Sequence, residues 1–166
     1  MRQKTMKRLL VIVLIISVIV LCGCGQTTDT ETTTEETTGI TQSTDNKPEG
    51  EISMTIDDTD VTVVWEDNES VTALKEFIAD NPLVIDASAY GGFEQVGSLG
   101  TTLPSNDEQI QTKAGDIMLY ASNQIVIFYR TNSWSYTLLG RITDKSDQEL
   151  EDLLKGDNVK IKLEMK

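Results

Sequence analysis

The chain has 166 residues, contains no histidine and carries a formal net charge of −13. Four of its fourteen basic residues lie in the first eight positions, which leaves 10 basic and 27 acidic residues beyond them, a net charge of −17. So acidic a surface repels nucleic acid and anionic lipid headgroups, and we expect neither as a partner. The lack of histidine also excludes a Ser-His-Asp triad and a histidine-ligated zinc site.

The first 23 residues have the pattern of a secretory signal peptide. They begin with a cationic stretch and continue with the apolar run Leu9–Leu21, which only Ser17 interrupts. A helix needs about 20 apolar residues to span a bilayer, so the shorter run favours a signal peptide over an uncleaved anchor helix, which is the alternative. The basic residues of the cationic stretch are Arg2, Lys4, Lys7 and Arg8.

The end of this segment, Leu21-Cys22-Gly23-Cys24, resembles a bacterial lipobox. In that motif an apolar and a small residue precede a cysteine that is diacylated and becomes the new N-terminus. Cys22 is a second possible acceptor, but Cys24 fits better because Leu21 and Gly23 then take the apolar and small positions. The resemblance implies lipidation at Cys24 and a stable anchor in the cell membrane, on its extracytoplasmic side.

Cleavage before Cys24 and lipidation of its thiol would leave no free cysteine. A thiol nucleophile, a redox motif and a thiolate metal site are then excluded. We therefore expect neither a metal site nor a cofactor.

The stretch from Gly25 to Glu51 contains ten threonines, interspersed with acidic residues, and almost no apolar side chains. It cannot bury enough surface to offset the entropy lost on ordering. We predict a disordered tether over residues 24–51, with a span of roughly 30 Å as a flexible coil.

Residues 52–166 are enough for one small domain with its own core. Short runs rich in β-branched residues, several with period-two alternation, predict strands. The predicted strands are Ile52–Ile56, Val61–Trp65, Leu83–Ala89, Ile117–Tyr120, Gln124–Tyr129, Trp134–Ile142 and Val159–Met165.

Two segments change to helical spacing, Asn68–Ala79 and Gln148–Leu154. The polar residues at their starts are candidate N-caps, Asn68 or Ser70 for the first helix and Asp144 or Ser146 for the second. Between the helices, the glycine-rich stretch Tyr90–Ala114 is predicted to be a long connection without regular structure, with an irregular hairpin as the alternative. Connections of this length are uncommon in compact domains and often bind ligands.

Four motifs follow one another in the domain: Ala89-Tyr90-Gly91-Gly92-Phe93-Glu94, Leu103-Pro104-Ser105-Asn106-Asp107, Ala114-Gly115-Asp116-Ile117-Met118-Leu119-Tyr120, and Ile125–Ile142 around Asn132-Ser133-Trp134-Ser135-Tyr136. Together they resemble the bacterial cyclophilin-like domain family, whose members are small β-barrels. The resemblance implies a mainly β fold, a closed antiparallel eight-stranded barrel with two short helices. It implies no activity. The sequence departs from the family pattern at Ala89, Arg130 and Leu138, where the family usually has Asp, Gly and Arg.

Aromatic and polar residues in the loops form the candidate ligand-binding set. They are Tyr90, Phe93, Glu94, Arg130, Asn132, Trp134, Tyr136 and Arg141. Aromatic platforms beside fixed polar groups suit contact with a peptide, a glycan or a small ligand. Each aromatic has an alternative role in core packing, which is the favoured role for Tyr136 and an even alternative for Trp134.

The predicted function is thus a lipid-anchored, non-catalytic binding module, with peptidyl-prolyl isomerase as the alternative. Isomerisation must lower an amide rotation barrier of about 20 kcal/mol, for which a guanidinium beside an apolar slot is suited. The domain has two arginines, Arg130 and Arg141, but lacks a Phe-His-Arg-Val type signature. Either arginine is also a candidate ion-pair partner for Glu94, and no residue is assigned as catalytic.

Overall fold

A computed structural model describes residues 49–166 of the chain. The predicted signal peptide over residues 1–23, the lipidation at Cys24 and all but the last residues of the tether over 24–51 lie outside this range. Within it, neither helix is long and apolar enough to cross a membrane.

The described residues contain ten strands and two helices. In chain order these are β1 (Ile52–Ile56), β2 (Thr59–Val61), β3 (Val63–Trp65), α1 (Glu69–Phe77), β4 (Leu83–Tyr90), β5 (Glu94–Ser98), β6 (Glu108–Gln111), β7 (Asp116–Tyr120), β8 (Gln124–Phe128), β9 (Ser133–Ile142), α2 (Asp147–Leu154) and β10 (Asn158–Met165).

Nine of the strands follow one antiparallel path, in the order β2-β1-β10-β4-β5-β8-β7-β9-β3, and β6 pairs with β9 beside this path. The two strands at its ends, β2 and β3, are successive parts of the segment Thr59–Trp65, separated by Thr62. The first part pairs with β1 and the second with β9. One bent segment therefore brings the two edges of the sheet together and nearly closes a barrel.

Hydrogen bonds at Thr62 hold this bend. Its amide donates to Asp144 Oδ1 at 2.9 Å, and its carbonyl accepts from the Thr143 amide at 2.9 Å. The Trp65 indole also donates to the carbonyl of Ile52 on β1 at 2.9 Å. The bend is thus tied to both neighbouring edges.

Alternating side chains of the strands fill the barrel. On β8, for example, Ile125 and Ile127 are fully buried in the main core. Both helices add apolar side chains to that core, Val71 and Leu74 from α1 and Leu150 and Leu154 from α2. Burying each such side chain contributes about 1.5–3 kcal/mol to the stability of the fold. All the strands and helices that supply them lie between residues 52 and 165. Residues 49–166 therefore hold a complete folding unit.

Side-chain caps fix the starts of both helices. Asn68 accepts a hydrogen bond from the Val71 amide at 2.9 Å, which selects it over Ser70 as the N-cap of α1. Ser146 forms a capping box with Glu149, which selects it over Asp144 at α2. Such caps typically stabilise a helix by about 1 kcal/mol.

The predicted class, a mainly β antiparallel barrel with two short helices, is confirmed. Its path has nine strands rather than eight, because the predicted strand Val61–Trp65 is interrupted at Thr62 and its N-terminal part pairs with a different neighbour.

The prediction that Tyr90–Ala114 has no regular structure is wrong, since this stretch contains β5 and β6. Strand β5 was not predicted because polar residues and a glycine interrupt the apolar alternation expected of a strand. Its Gln95 is fully buried and donates to the carbonyls of Leu154 and Gly156, at 2.7 and 2.6 Å, at the end of α2.

Candidate ligand-binding cleft

The outer face of β5, β8, β7 and β9 carries a second group of buried apolar side chains. On β8, Val126 and Phe128 alternate with the two core isoleucines and so point to this face. With Met118 and Tyr136 they form what we call the outer cluster, against which Phe93, Val96, Ile110 and Leu138 pack. This part of the barrel wall therefore carries buried apolar side chains on both faces, toward the main core and toward the outer cluster.

Four aromatic rings form a continuous series through the outer cluster. Phe93 stacks on Phe128, with centroids 6.4 Å apart and planes at 1°. Tyr136 makes T-shaped contacts with Phe128 and with Tyr120, with ring centroids 5.4 and 5.9 Å apart. Such ring pairs contribute about 0.5–1.5 kcal/mol each beyond the area they bury, so they hold Tyr136 firmly in position.

A cleft of about 480 Å³ lies over this series. That volume is typical of sites for small ligands. Large apolar or aromatic side chains are exposed at only six described positions, and three of these line the cleft: Tyr90 at 66%, Trp134 at 57% and Tyr120 at 39%. The full lining is Tyr90, Glu94, Val96, Tyr120, Gln124, Val126, Asn132, Trp134 and Tyr136.

Glu94 provides the cleft with a buried carboxyl group, only 5% exposed. It begins β5 opposite Phe128 of β8. Burial raises the pKa of this carboxyl from 4.5 to about 7, and a hydrogen bond from Tyr136 opposes the rise. The other carboxyl oxygen, Oε2, has no hydrogen-bond partner among residues 49–166.

Tyr136 connects this carboxyl to the loop before β9. Its hydroxyl oxygen accepts a hydrogen bond from Asn132 Nδ2 at 3.1 Å, while its own proton is directed to Glu94. Burial, with the negative charge of Glu94 next, raises the pKa of the phenol. The backbone N–H of Asn132 donates in turn to the Thr112 hydroxyl at 2.8 Å, which fixes the position of Asn132.

The structure brings five of the eight candidate residues together in the cleft: Tyr90, Glu94, Asn132, Trp134 and Tyr136. Phe93 lies beneath it in the outer cluster. Tyr136 packs, as favoured, but on the outer face of the barrel, whereas Trp134 is exposed.

The two arginines lie elsewhere and line a different cleft beside α2. Arg130 pairs with Glu151 at 2.7 Å, and Arg141 with Asp116 at 2.5 Å. The hypothesis of an ion pair between Glu94 and either arginine is therefore wrong. Arg130 extends toward α2 instead, where it meets the partly exposed carboxylate of Glu151.

Sequence reasoning missed Tyr120, Gln124, Val96 and Val126, which also line the cleft. Tyr120 carried a usable signal, because it ends a predicted strand two positions after Met118 and so shares its face. The other three needed the pairing of β5 with β8, which local patterns do not give.

A larger groove of about 720 Å³ is lined by residues from the start of α1, from β6 and from β9. Its lining is mainly polar and acidic, including Glu66, Glu69 and Glu108. Apart from Tyr136, which it shares with the cleft, it is lined by no aromatic residue. Exposed rings above a buried carboxyl therefore distinguish the smaller cleft.

The sequence profile of the Cyclophilin-like family matches residues 54–164, most of the chain and nearly all of the barrel. The chain belongs to this family. A comparison with curated proteins finds no match. Both the outer cluster and the cleft lie within the matched residues, so they are features of the cyclophilin-like domain.

Proposed function

We propose that the chain is an extracytoplasmic binding module, anchored by lipid at Cys24, whose cyclophilin-like domain takes a peptide, glycan or small ligand in the cleft. The grouping of Tyr90, Trp134 and Tyr120 in one concavity is the observation that carries the proposal. Exposure of aromatic side chains to water is unfavourable, and a ligand that covers them removes this cost. Their concentration at one place therefore favours binding there.

The cleft is also built to keep its shape. Its floor is the ring series from Phe93 to Tyr120, and its polar groups are held by the contacts of Tyr136 and Asn132. A site that is already ordered loses little entropy when it binds, which favours affinity. Rigid aromatic walls with few fixed polar groups are the usual composition of a recognition site.

Fluorescence of Trp134 gives a direct test. The chain has two tryptophans, so a Trp65→Phe background leaves Trp134 as the sole indole emitter. We expect a ligand from a panel of proline-containing peptides, cell-wall stem peptides and oligosaccharides to shift its emission. In the domain that keeps Trp65, Trp134→Ala should then weaken binding of that ligand at least tenfold, as measured by calorimetry.

Phe77→Ala is the matched control, because Phe77 is 46% exposed on α1 and outside the cleft. The proposal is wrong if no class of ligand changes the emission of Trp134, or if the two alanine variants weaken binding equally.

Prolyl isomerase activity, the alternative, has less support. No arginine lines the cleft, and both arginines of the domain are paired with carboxylates outside it. A protease-coupled isomerase assay on residues 49–166 with Arg130→Ala and Arg141→Ala decides the matter. Acceleration that either substitution abolishes would establish the enzyme, and we expect none.

Lipid anchoring is tested independently of the cleft. Cys24→Ser should block lipidation and processing of the full-length chain, so that the unprocessed precursor accumulates and no mature-sized protein is recovered in the membrane fraction. Cys22→Ser is the matched control and should leave both unchanged. Mature-sized Cys24→Ser protein in the membrane fraction, with processing and fractionation both unchanged, would contradict the anchor.

A further inference from the structure

The lining of the cleft contains one acidic residue and no basic residue. Glu94 is the only Asp, Glu, Lys or Arg among its lining residues, and the other ionisable groups facing it are the phenols of Tyr90 on β4, Tyr120 on β7 and Tyr136 on β9. Arg130, which follows β8, pairs with Glu151 at 2.7 Å and donates to the Gly92 carbonyl at 3.4 Å, and it does not line the cleft. A positively charged ligand would thus meet one carboxyl group and no competing cation.

The rings favour the same kind of ligand. Aromatic faces attract cations through their quadrupole, and indole does so most strongly. Trp134, Tyr90 and Tyr120 are the exposed rings, while the buried Tyr136 hydrogen-bonds to Glu94. Several rings beside one carboxyl group are the arrangement that suits an alkylated ammonium ion.

The carboxyl group is incompletely satisfied. The Glu94 carboxyl accepts a hydrogen bond from the Tyr136 hydroxyl, but its Oε2 is buried and has no hydrogen-bond partner in the described part of the chain. An ionised carboxylate in this position needs a nearby positive charge to offset its lost hydration. A cation held by the rings above it would supply that charge. The net charge of the chain, −13, also draws cations toward the surface.

We propose that the cleft binds an organic ammonium group, with Tyr90, Tyr120 and Trp134 around the cation and the Glu94 carboxylate beneath it as counter-ion. This inference rests on the proposed function, because it names the ligand class of the same cleft. The ammonium group has two sources, a free quaternary amine and a lysine side chain of a peptide.

Binding of a cation must then favour ionised Glu94 and release a proton. Since the pKa of this carboxyl is about 7 in the free domain, affinity should rise by about tenfold between pH 6 and pH 8. Titrations in buffers with different ionisation enthalpies measure the released proton directly.

The experiment uses residues 49–166 and isothermal titration calorimetry. Choline represents the free amine, and Nα-acetyl-lysine N-methylamide represents the peptide lysine. The neutral isostere 3,3-dimethylbutan-1-ol is the control ligand for choline. We expect choline or the lysine derivative to bind, the neutral alcohol to bind at least tenfold more weakly than choline, and Glu94→Gln to lose at least tenfold in affinity. Glu76→Gln, an exposed carboxylate on α1, is the control variant and should leave the affinity unchanged.

Which of the two cations binds identifies the source of the ammonium group. Binding of choline that is no tighter than binding of its neutral isostere, in the case that choline binds, overturns the inference, and so does binding of neither cation. In that case binding of an uncharged peptide or glycan that Trp134→Ala abolishes would leave the proposed function standing. If Trp134→Ala changes the binding of no ligand, both proposals fail.

Discussion

Replacing Glu94 by Gln should stabilise the domain at alkaline pH and leave its stability unchanged in acid. The carboxyl has a pKa of 4.5 in the unfolded chain and about 7 in the barrel. Because the folded value is raised, the contribution of Glu94 to stability is fully present below pH 4.5, declines between pH 4.5 and 7, and is lost above that range. The difference amounts to about 3 kcal/mol, at about 1.4 kcal/mol for each pH unit between the two values.

Glutamine resembles the neutral acid, since its amide oxygen still accepts from Tyr136. We therefore expect equal free energies of unfolding near pH 4, and a Glu94→Gln variant more stable by about 3 kcal/mol near pH 8. Urea titrations at several pH values, followed by circular dichroism, measure this difference. Glu76→Gln controls for the loss of one negative charge from an acidic protein. A free-energy difference that stays constant from pH 4 to pH 8 would refute the burial of an ionisable Glu94.

Three further substitutions test the packing of the barrel, each by urea denaturation of residues 49–166. Gly140→Ala should destabilise it by about 2 kcal/mol or more, because the new Cβ would lie 2.7 Å from the Val64 carbonyl oxygen. Gly156→Ala, with no contact closer than 3.5 Å, is its control, and equal losses would contradict the close approach of β3 and β9. Gln95→Leu should lose about 1–3 kcal/mol, since the buried Leu154 carbonyl at the end of α2 loses its donor, as does the more exposed carbonyl of Gly156; an unchanged unfolding midpoint would refute this. Ala121→Asn should gain about 0.5–1 kcal/mol, because Ala121 has a φ of 49° and asparagine tolerates that region better. A loss of stability there would show that the β7–β8 turn is not strained.

The strands with regular alternation were predictable from the sequence. On β4, Ile85 and Ala87 are buried as their spacing from Leu83 indicates, and the neighbouring Val84 is exposed. Gln95 and Gly97 broke the rule on β5, because each has a specific role inside the barrel. Gln95 donates to α2, while a Cβ at Gly97 would lie 2.3 Å from Ile85. A polar or absent side chain at an inward position looks like a loop in a single sequence.

The site was predictable in part for a related reason. Trp134 and Tyr136 share a face of β9 by their spacing of two, yet one is 57% exposed and the other 4%. The difference comes from rings on other strands, since Phe128 and Tyr120 cover Tyr136. Burial of Glu94 likewise depends on its pairing with Phe128, 34 positions later. Residue type and local spacing nominate such side chains, but only the non-local pairing of the strands decides their exposure.

The direction of β4 relates the cleft to the point where the chain enters the barrel. Ile52 pairs with Met165, and Leu163 pairs with Leu83, so the entry point and the start of β4 lie at one end. Seven residue steps along β4, about 23 Å, separate Leu83 from Tyr90 at the rim of the cleft. The N-terminal segment therefore enters the barrel at the end away from this rim, so that attachment of the domain through its N-terminus leaves the rim free for large partners.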